Sequence, residues 1–252
     1  MLSSTPVFEA SGIEITPLLE DNEPGFLHQT IRRVRTACRE GRAALFRSLF
    51  PLRRNTRVLD LGGSNGTYAH SLLASTPVRP ENVCVADIDA AAVQSAARTF
   101  GYAAATLATG EPLPFADGAF DIVLCSSVLE HVTVPTDEIW TATSGIDFRR
   151  RALREQSRFA AEIRRVARGY FVQVPYRGFP IEAHTWLPFV SYLPRPWQCR
   201  VIATSNRVWI KKTVPDFYLP SAAEMASYFP DARMLRERLL KMTKSMIAVR
   251  TV

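Results

Sequence analysis

The segment Arg57-Val-Leu-Asp-Leu-Gly-Gly-Ser-Asn-Gly66 admits few folds. An apolar run of strand character ends in a glycine-rich turn, and the turn opens a helical stretch over Asn65–Ala74. About twenty residues on, a second apolar run, Val83-Cys-Val-Ala-Asp87, ends in an acid. Glycines let a ligand approach the backbone, and a carboxylate at that spacing can take two ribose hydroxyls. The pattern points to an α/β fold with a nucleoside site at the ends of its first two strands.

The rest of the chain continues the alternation. A helical face over about Gly25–Phe50 carries Ile31, Val34, Cys38, Leu45 and Leu49, beside an arginine stripe of Arg32, Arg35, Arg39 and Arg42, and Pro51 stops it. After the first strand and helix come a strand at Asn82–Ala86, an alanine-rich helix at Ala90–Phe100, a weak strand at Ala103–Ala108 and a loop at Thr109–Gly118. Phe120–Cys125 reads as a strong strand, Phe148–Val166 as a basic helix and Tyr170–Val174 as another strand. Such alternation predicts a three-layer Rossmann-like fold, with a mostly parallel sheet covered on both faces. Ser221 with Glu224 predicts a capping box for a helix to Phe229. Ala232–Leu239 and Ser245–Val252 then read as two antiparallel strands joined by Lys241–Lys244.

Two stretches break the rhythm. Residues 1–24, with Pro6, Pro17 and Pro24, read as an arm holding at most a short strand near Ile13–Ile15. Pro175–Pro220 is rich in proline and aromatics and follows the C-terminal end of a strand, where open α/β sheets bind ligands. It reads as a cap over the site; a packing elaboration or a homodimer interface is the alternative. The expected division is an N-terminal arm and helix over 1–54, and a main domain over 55–252 with the cap inserted at about 175–220.

Cys38, Cys84, Cys125 and Cys199 form no C-x-x-C pair, which suits a reduced, cytoplasmic setting. No run of eighteen apolar residues is present, and the N-terminus lacks the charge and hydropathy of a signal peptide. The net charge of +7 is compatible with an anionic substrate, nucleic acid or a membrane surface, or with solubility alone.

The turn itself discriminates among nucleosides. G-x-G-x-x-G, which brings a helix N-terminus onto a pyrophosphate, is absent at Gly62–Thr67, so a nicotinamide dehydrogenase is disfavoured. Asp60 stands where a pyrophosphate would be repelled and a ligand amine or sulfonium attracted. Leu113-Pro-Phe-Ala-Asp-Gly-Ala-Phe-Asp-Ile-Val123 leads into Ser126-Ser-Val-Leu-Glu-His-Val132. With the terminal hairpin, these residues resemble class I S-adenosylmethionine-dependent methyltransferases of the methyltransferase type 11 branch, over about residues 55–252. Phe179-Pro-Ile-Glu-Ala-His-Thr-Trp-Leu-Pro-Phe189 resembles bacterial members of that branch.

The resemblance implies a seven-stranded sheet whose last strand is inserted antiparallel, and S-adenosyl-L-methionine as cofactor. It places Asp60 near the ligand's amino group, and Gly62, Gly63, Ser64 and Gly66 in the turn against its methionine and ribose parts. Asp87 would hold the ribose hydroxyls, with Asp89 or Asp87 alternatively capping the next helix. Ile88 would flank the adenine, and Thr109, Gly110 and Glu111 would meet its edge. Ser126 would sit near the methionine end. Ser64 departs from a common second glycine, and Thr109 from a common aspartate. No metal is implied.

A bound sulfonium needs an aligned acceptor and exclusion of water. His131, just past a strand end, and His184, in the cap, are the candidate general bases, since histidine titrates near neutrality; Glu130 is a weaker one. His28 and His70 read as surface or packing residues. The expected reaction is O-methylation of a small-molecule or sugar-like acceptor. The alternatives are RNA methylation, suggested by the arginines Arg32, Arg33, Arg35, Arg39 and Arg42 and those over Arg149–Arg168, a lipid-linked substrate at a membrane surface, and a non-catalytic partner subunit that keeps the fold.

Overall fold

The protein was analysed as a computed structural model that describes residues 26–209 and 211–251, with side chains from residue 36 onward. The N-terminal arm, its expected strand near Ile13–Ile15, and the side chains of His28, Arg32, Arg33 and Arg35 lie outside the described residues.

Among the described residues, six α-helices and seven strands follow in chain order: α1 (Phe26–Leu49), β1 (Val58–Leu61), α2 (Thr67–Leu73), β2 (Val83–Asp87), α3 (Ala90–Phe100), β3 (Ala103–Thr106), β4 (Phe120–Ser126), α4 (Gly145–Val166), β5 (Ala167–Pro175), α5 (Arg195–Val208), α6 (Ala222–Tyr228), β6 (Arg233–Leu239) and β7 (Met242–Arg250). The seven strands form one sheet in the order β3-β2-β1-β4-β5-β7-β6. All neighbours pair in parallel except those of β7, which runs antiparallel between β5 and β6. This is the inserted last strand that the resemblance implies.

Side chains alternate across each strand, so an apolar strand buried on both faces feeds two cores. Leu59, Leu61, Val123, Cys125 and Val172 face α4 and α6. Val58, Val85, Ile122, Leu124 and Phe171 face α1, α2 and α3. Phe46 of α1 is fully buried, its ring edge-on to Phe171 with centroids 5.6 Å apart. That contact seats α1 on the sheet and brings Arg42 and Arg39, one and two turns before it, to the sheet's carboxyl edge. The chain reverses direction across the sheet at β1, whose neighbours are β2 and β4. A crevice opens at such a reversal, beyond the carboxyl ends of the strands.

Two expectations are corrected. The terminal hairpin turns at Leu240-Lys241, with Met242–Lys244 already in β7, rather than across Lys241–Lys244. Both turn residues take left-handed backbone (φ 49° and 66°), a conformation normally signalled by Asn-Gly, which this turn lacks. The stretch 175–220 also contains the helix α5, which its aromatic and proline content obscured.

Candidate active site

The turn after β1 is closed by side chains. Gly62 (φ 70°) has the methyls of Val128 where a Cβ would be, and Gly63 has the carboxylate of Asp60 there. Gly66 (φ 73°) caps α2 and packs against Ala96, so it shapes the turn from behind. Only glycine fits the first two positions, and the chain can therefore bend over the end of β1, where the Gly62 N–H donates to the Ala86 carbonyl at 2.7 Å. Ser64 holds the left-handed conformation (φ 49°) without being glycine. Its N–H donates to Oδ2 of Asp87 at 2.8 Å, while Oδ1 accepts from the Asp89 N–H at 3.1 Å. The helix cap is Asp89, whose carboxylate accepts from Ala91 and Ala92. Asp87 is thus left at the mouth of the turn as an oriented acceptor.

Asp60, Gly62, Gly63, Ser64 and Ser126 line one pocket of about 330 Å³. Asp60 is buried, and its Oδ2 has no hydrogen-bond partner. Burial, aided by the charge of Asp87, pushes its carboxyl up to about 7. An orphaned buried carboxylate is costly by about 1–3 kcal/mol, and a ligand ammonium would remove that cost. Ile88 is half exposed beside Asp87. The Leu107 N–H donates to the Asp87 carbonyl at 2.8 Å, which starts the loop carrying Thr109, Gly110 and Glu111 at the same sheet edge. Those three are exposed and do not line the pocket.

Six lining residues were not named as site residues from sequence: Asn65, Thr67 and Ser127, which adjoin predicted ones, and Arg39, Arg42 and Tyr68. Arg42 Nη1 donates to Oε1 of Gln173 at 2.6 Å, its Nε faces Glu237 at 3.4 Å, and its guanidinium lies 5.4 Å from the Tyr68 ring. The arginine stripe of α1 was visible in sequence; that one turn of it enters the pocket depends on α1 docking through Phe46.

The segment Leu113–Asp117 is held by α4. Arg165 donates to the carbonyls of Leu113 and Phe115 and to Asp117, and Glu162 accepts from the Leu113 N–H. Arg149, Arg150, Arg151, Arg154, Arg158, Arg164 and Arg165 all pair with carboxylates. The stripe offers little unneutralised charge to a nucleic acid.

His131 and His184 meet edge to face, with ring centroids 4.7 Å apart. His131 lies in a short helical turn, Leu129–His131, just beyond β4, and its Nδ1 faces Asp216 at 3.0 Å. His184 comes from the segment 179–189, which folds around one carboxylate: Glu182 accepts from the N–H groups of His184 and Thr185 and from His184 Nδ1 at 2.6 Å. His184 Nε2 lies 3.5 Å from Glu130, and Phe217 stacks on its ring. Burial disfavours the imidazolium, but Glu130 and Glu182 outweigh it and push His184 up to about 9, while Glu182 is held at about 2. Ligand atoms of Glu130, His131 and His184 lie within 4.8 Å of one another.

A family model described as a methyltransferase domain matches residues 59–170, the segment holding the turn, Asp87, the Leu113–Asp117 loop and His131. A protein of Pyrococcus horikoshii shares the fold, with a TM-score of 0.51 at 15% identity over 86% of this chain and 90% of that one. Residues 59–170 carry a methyltransferase domain. An uncharacterized methyltransferase of Mycolicibacterium gilvum is 38% identical to it over 86 residues, covering 32% of this chain and 31% of the relative. The chain thus spans about a third of that relative's length. The magnesium protoporphyrin IX methyltransferase of Synechocystis, solved with bound SAH, superposes with a TM-score of 0.49 at 17% identity over 92% and 90% of the two chains. In this methyltransferase domain, Asp60 and the glycines fit a ligand with a cationic amino-acid end, and Asp87 fits its ribose. Among the described residues no helix is long and apolar enough to cross a membrane.

Proposed function

We propose that the protein transfers a methyl group from S-adenosylmethionine to an oxygen of a small-molecule acceptor. The observation that carries the cofactor half is the orphaned Asp60 carboxylate beneath a turn that only glycine can make. Asp60 would face the ammonium, Arg42 the carboxylate, and Asp87 the ribose hydroxyls. When bound, the cofactor supplies an electrophilic methyl on sulfur. The chain's own work is to align the acceptor and exclude water.

His131 supports methylation at oxygen. It is partly exposed, lies four residues beyond the pocket-lining Ser127, and has an aspartate behind its ring, the base-and-orienter arrangement that removes a proton from a hydroxyl. Asp216 would hold its Nδ1–H and stabilise the imidazolium once Nε2 has taken the proton. His184, charged between two carboxylates, is suited to shaping the acceptor wall. Titration calorimetry with S-adenosylhomocysteine tests the cofactor half: one site per chain is expected, and no binding overturns it. A methyl-transfer screen over hydroxylated small molecules tests the rest. His131→Ala should lower turnover at least 100-fold with cofactor affinity intact. Full turnover in both His131→Ala and His184→Ala would dispose of the general base.

A further inference from the structure

A second pocket, of about 180 Å³, lies where two long helices begin. Gly145 opens α4 and Arg195 opens α5, and both line it, together with Arg149, Arg177 and Ser191. Three arginines stand in its walls, of which Arg149 is already paired with Glu224 at 2.9 Å, and no acidic side chain lines it.

Arg195 is only 5% exposed. Its Nε donates to the Ala142 carbonyl at 3.2 Å and its Nη2 to the Ile139 carbonyl at 3.1 Å, and the guanidinium lies 3.7 Å from the Phe148 ring centroid. Nη1 is buried with no acceptor. The hydroxyl of Ser191, in the same wall, is also buried and unpartnered. A guanidinium keeps its charge at any working pH, so the bare Nη1 cannot be relieved by losing a proton. A negatively charged acceptor group in the pocket is the partner that such donors call for. Arg177, exposed and without an ion pair among the described residues, adds positive charge at the rim. The two helix N-termini contribute a smaller attraction of the same sign.

The pocket adjoins the histidine pair. Phe217 lines it and stacks on His184 at 4.6 Å, and His184 touches His131. We propose that this pocket holds a carboxylate or phosphate of the methyl acceptor, which makes the acceptor an acidic small molecule. The proposal rests on the methyl-transfer reading for the word acceptor, but the anion site itself does not.

Inorganic phosphate and acetate, titrated separately into the whole protein by calorimetry, test it without any cofactor. At least one should bind saturably at one site, and the tighter of the two identifies the group. Arg195→Gln should weaken that binding at least 10-fold. Because Arg195 also ties two loop carbonyls, Arg177→Ala and Ser191→Ala carry the test if that variant fails to fold; each should weaken binding at least 3-fold, and the remote Arg79→Ala should leave it unchanged. No saturable binding of either anion, or binding indifferent to Arg177→Ala and Ser191→Ala, overturns the proposal. S-adenosylhomocysteine titrated into the same preparation separates the two ideas. Its failure to bind while the anion binds sinks the methyl-transfer reading alone, and the converse sinks the anion site alone.

Discussion

The backbone N–H of Ser64 donates to Oδ2 of Asp87 at 2.8 Å, tying the turn after β1 to the end of β2. The bond orients the carboxylate before any ribose arrives. Charge-assisted hydrogen bonds contribute about 1.5–3 kcal/mol, so Asp87→Ala should weaken S-adenosylhomocysteine binding roughly 10- to 150-fold by calorimetry. Ser64→Gly keeps the donating N–H and the left-handed turn, and should leave affinity within about 3-fold of the parent.

On the proposed reading, Asp60 should give cofactor binding a pH dependence. Burial and Asp87 hold its folded-state carboxyl at about 7, above the ordinary 3.8. A ligand ammonium needs the ionised form, so below pH 7 binding must expel a proton. Affinity should rise by up to about tenfold per pH unit towards 7. It should then level off, and fall above about 8 as the ligand's amine loses its own proton. Asp60→Asn should flatten the rising limb and weaken binding at pH 7.5. An unchanged slope in Asp60→Asn would show that the limb belongs to another group.

The fold was readable because the central strands β1, β2, β4 and β5 are dominated by buried apolar residues, and the helices α2, α3 and α4 begin at a glycine or a capping side chain. Ser221 with Glu224 forms the anticipated capping box. The cofactor turn was readable for a related reason: Gly62 and Gly63 answer to local sterics, which sequence records. The acceptor side was not. Arg195–Val208 begins in Arg-Pro-Trp and lacks a clean apolar stripe, so its helix was hidden in the aromatic stretch. Asp216 meets His131, Arg42 meets Gln173, and Glu182 gathers the N–H groups around His184 only through tertiary packing. No spacing along the chain announces such pairs.

His184 makes the cap sensitive to alkali. Its folded-state value of about 9 stands above the ordinary 6.5 because of Glu130 and Glu182. The stability this contributes is complete below about 6.5 and lost as pH rises through 9. Glu182, held at about 2 against 4.5, contributes stability that is lost only as pH falls towards 2. Thermal unfolding should therefore show a midpoint that drops by several degrees between pH 6.5 and 9.5. His184→Gln should abolish that drop, while leaving Glu130 and Glu182 without their cation, at a cost of about 3–5 kcal/mol.

Arg42 offers the sharpest test of how the pocket reads the amino-acid end of its ligand. Its Nη1 is anchored on Gln173 and its Nε faces Glu237, so the guanidinium is fixed against Tyr68 before binding. A ligand carboxylate would meet a planar, pre-oriented donor set. Arg42→Met should weaken S-adenosylhomocysteine binding at least 10-fold. It also strips Glu237, 12% exposed, of its nearest cation, so some loss of thermal stability is expected and cannot by itself identify the role. Methylthioadenosine separates the two effects, because it keeps the adenine and ribose and lacks the amino-acid end. If Arg42 grips the carboxylate, the variant loses affinity for S-adenosylhomocysteine and keeps it for methylthioadenosine. If Arg42 only supports the wall, both ligands weaken together. Arg42→Lys keeps the charge without the fork, and should recover only part of the lost affinity.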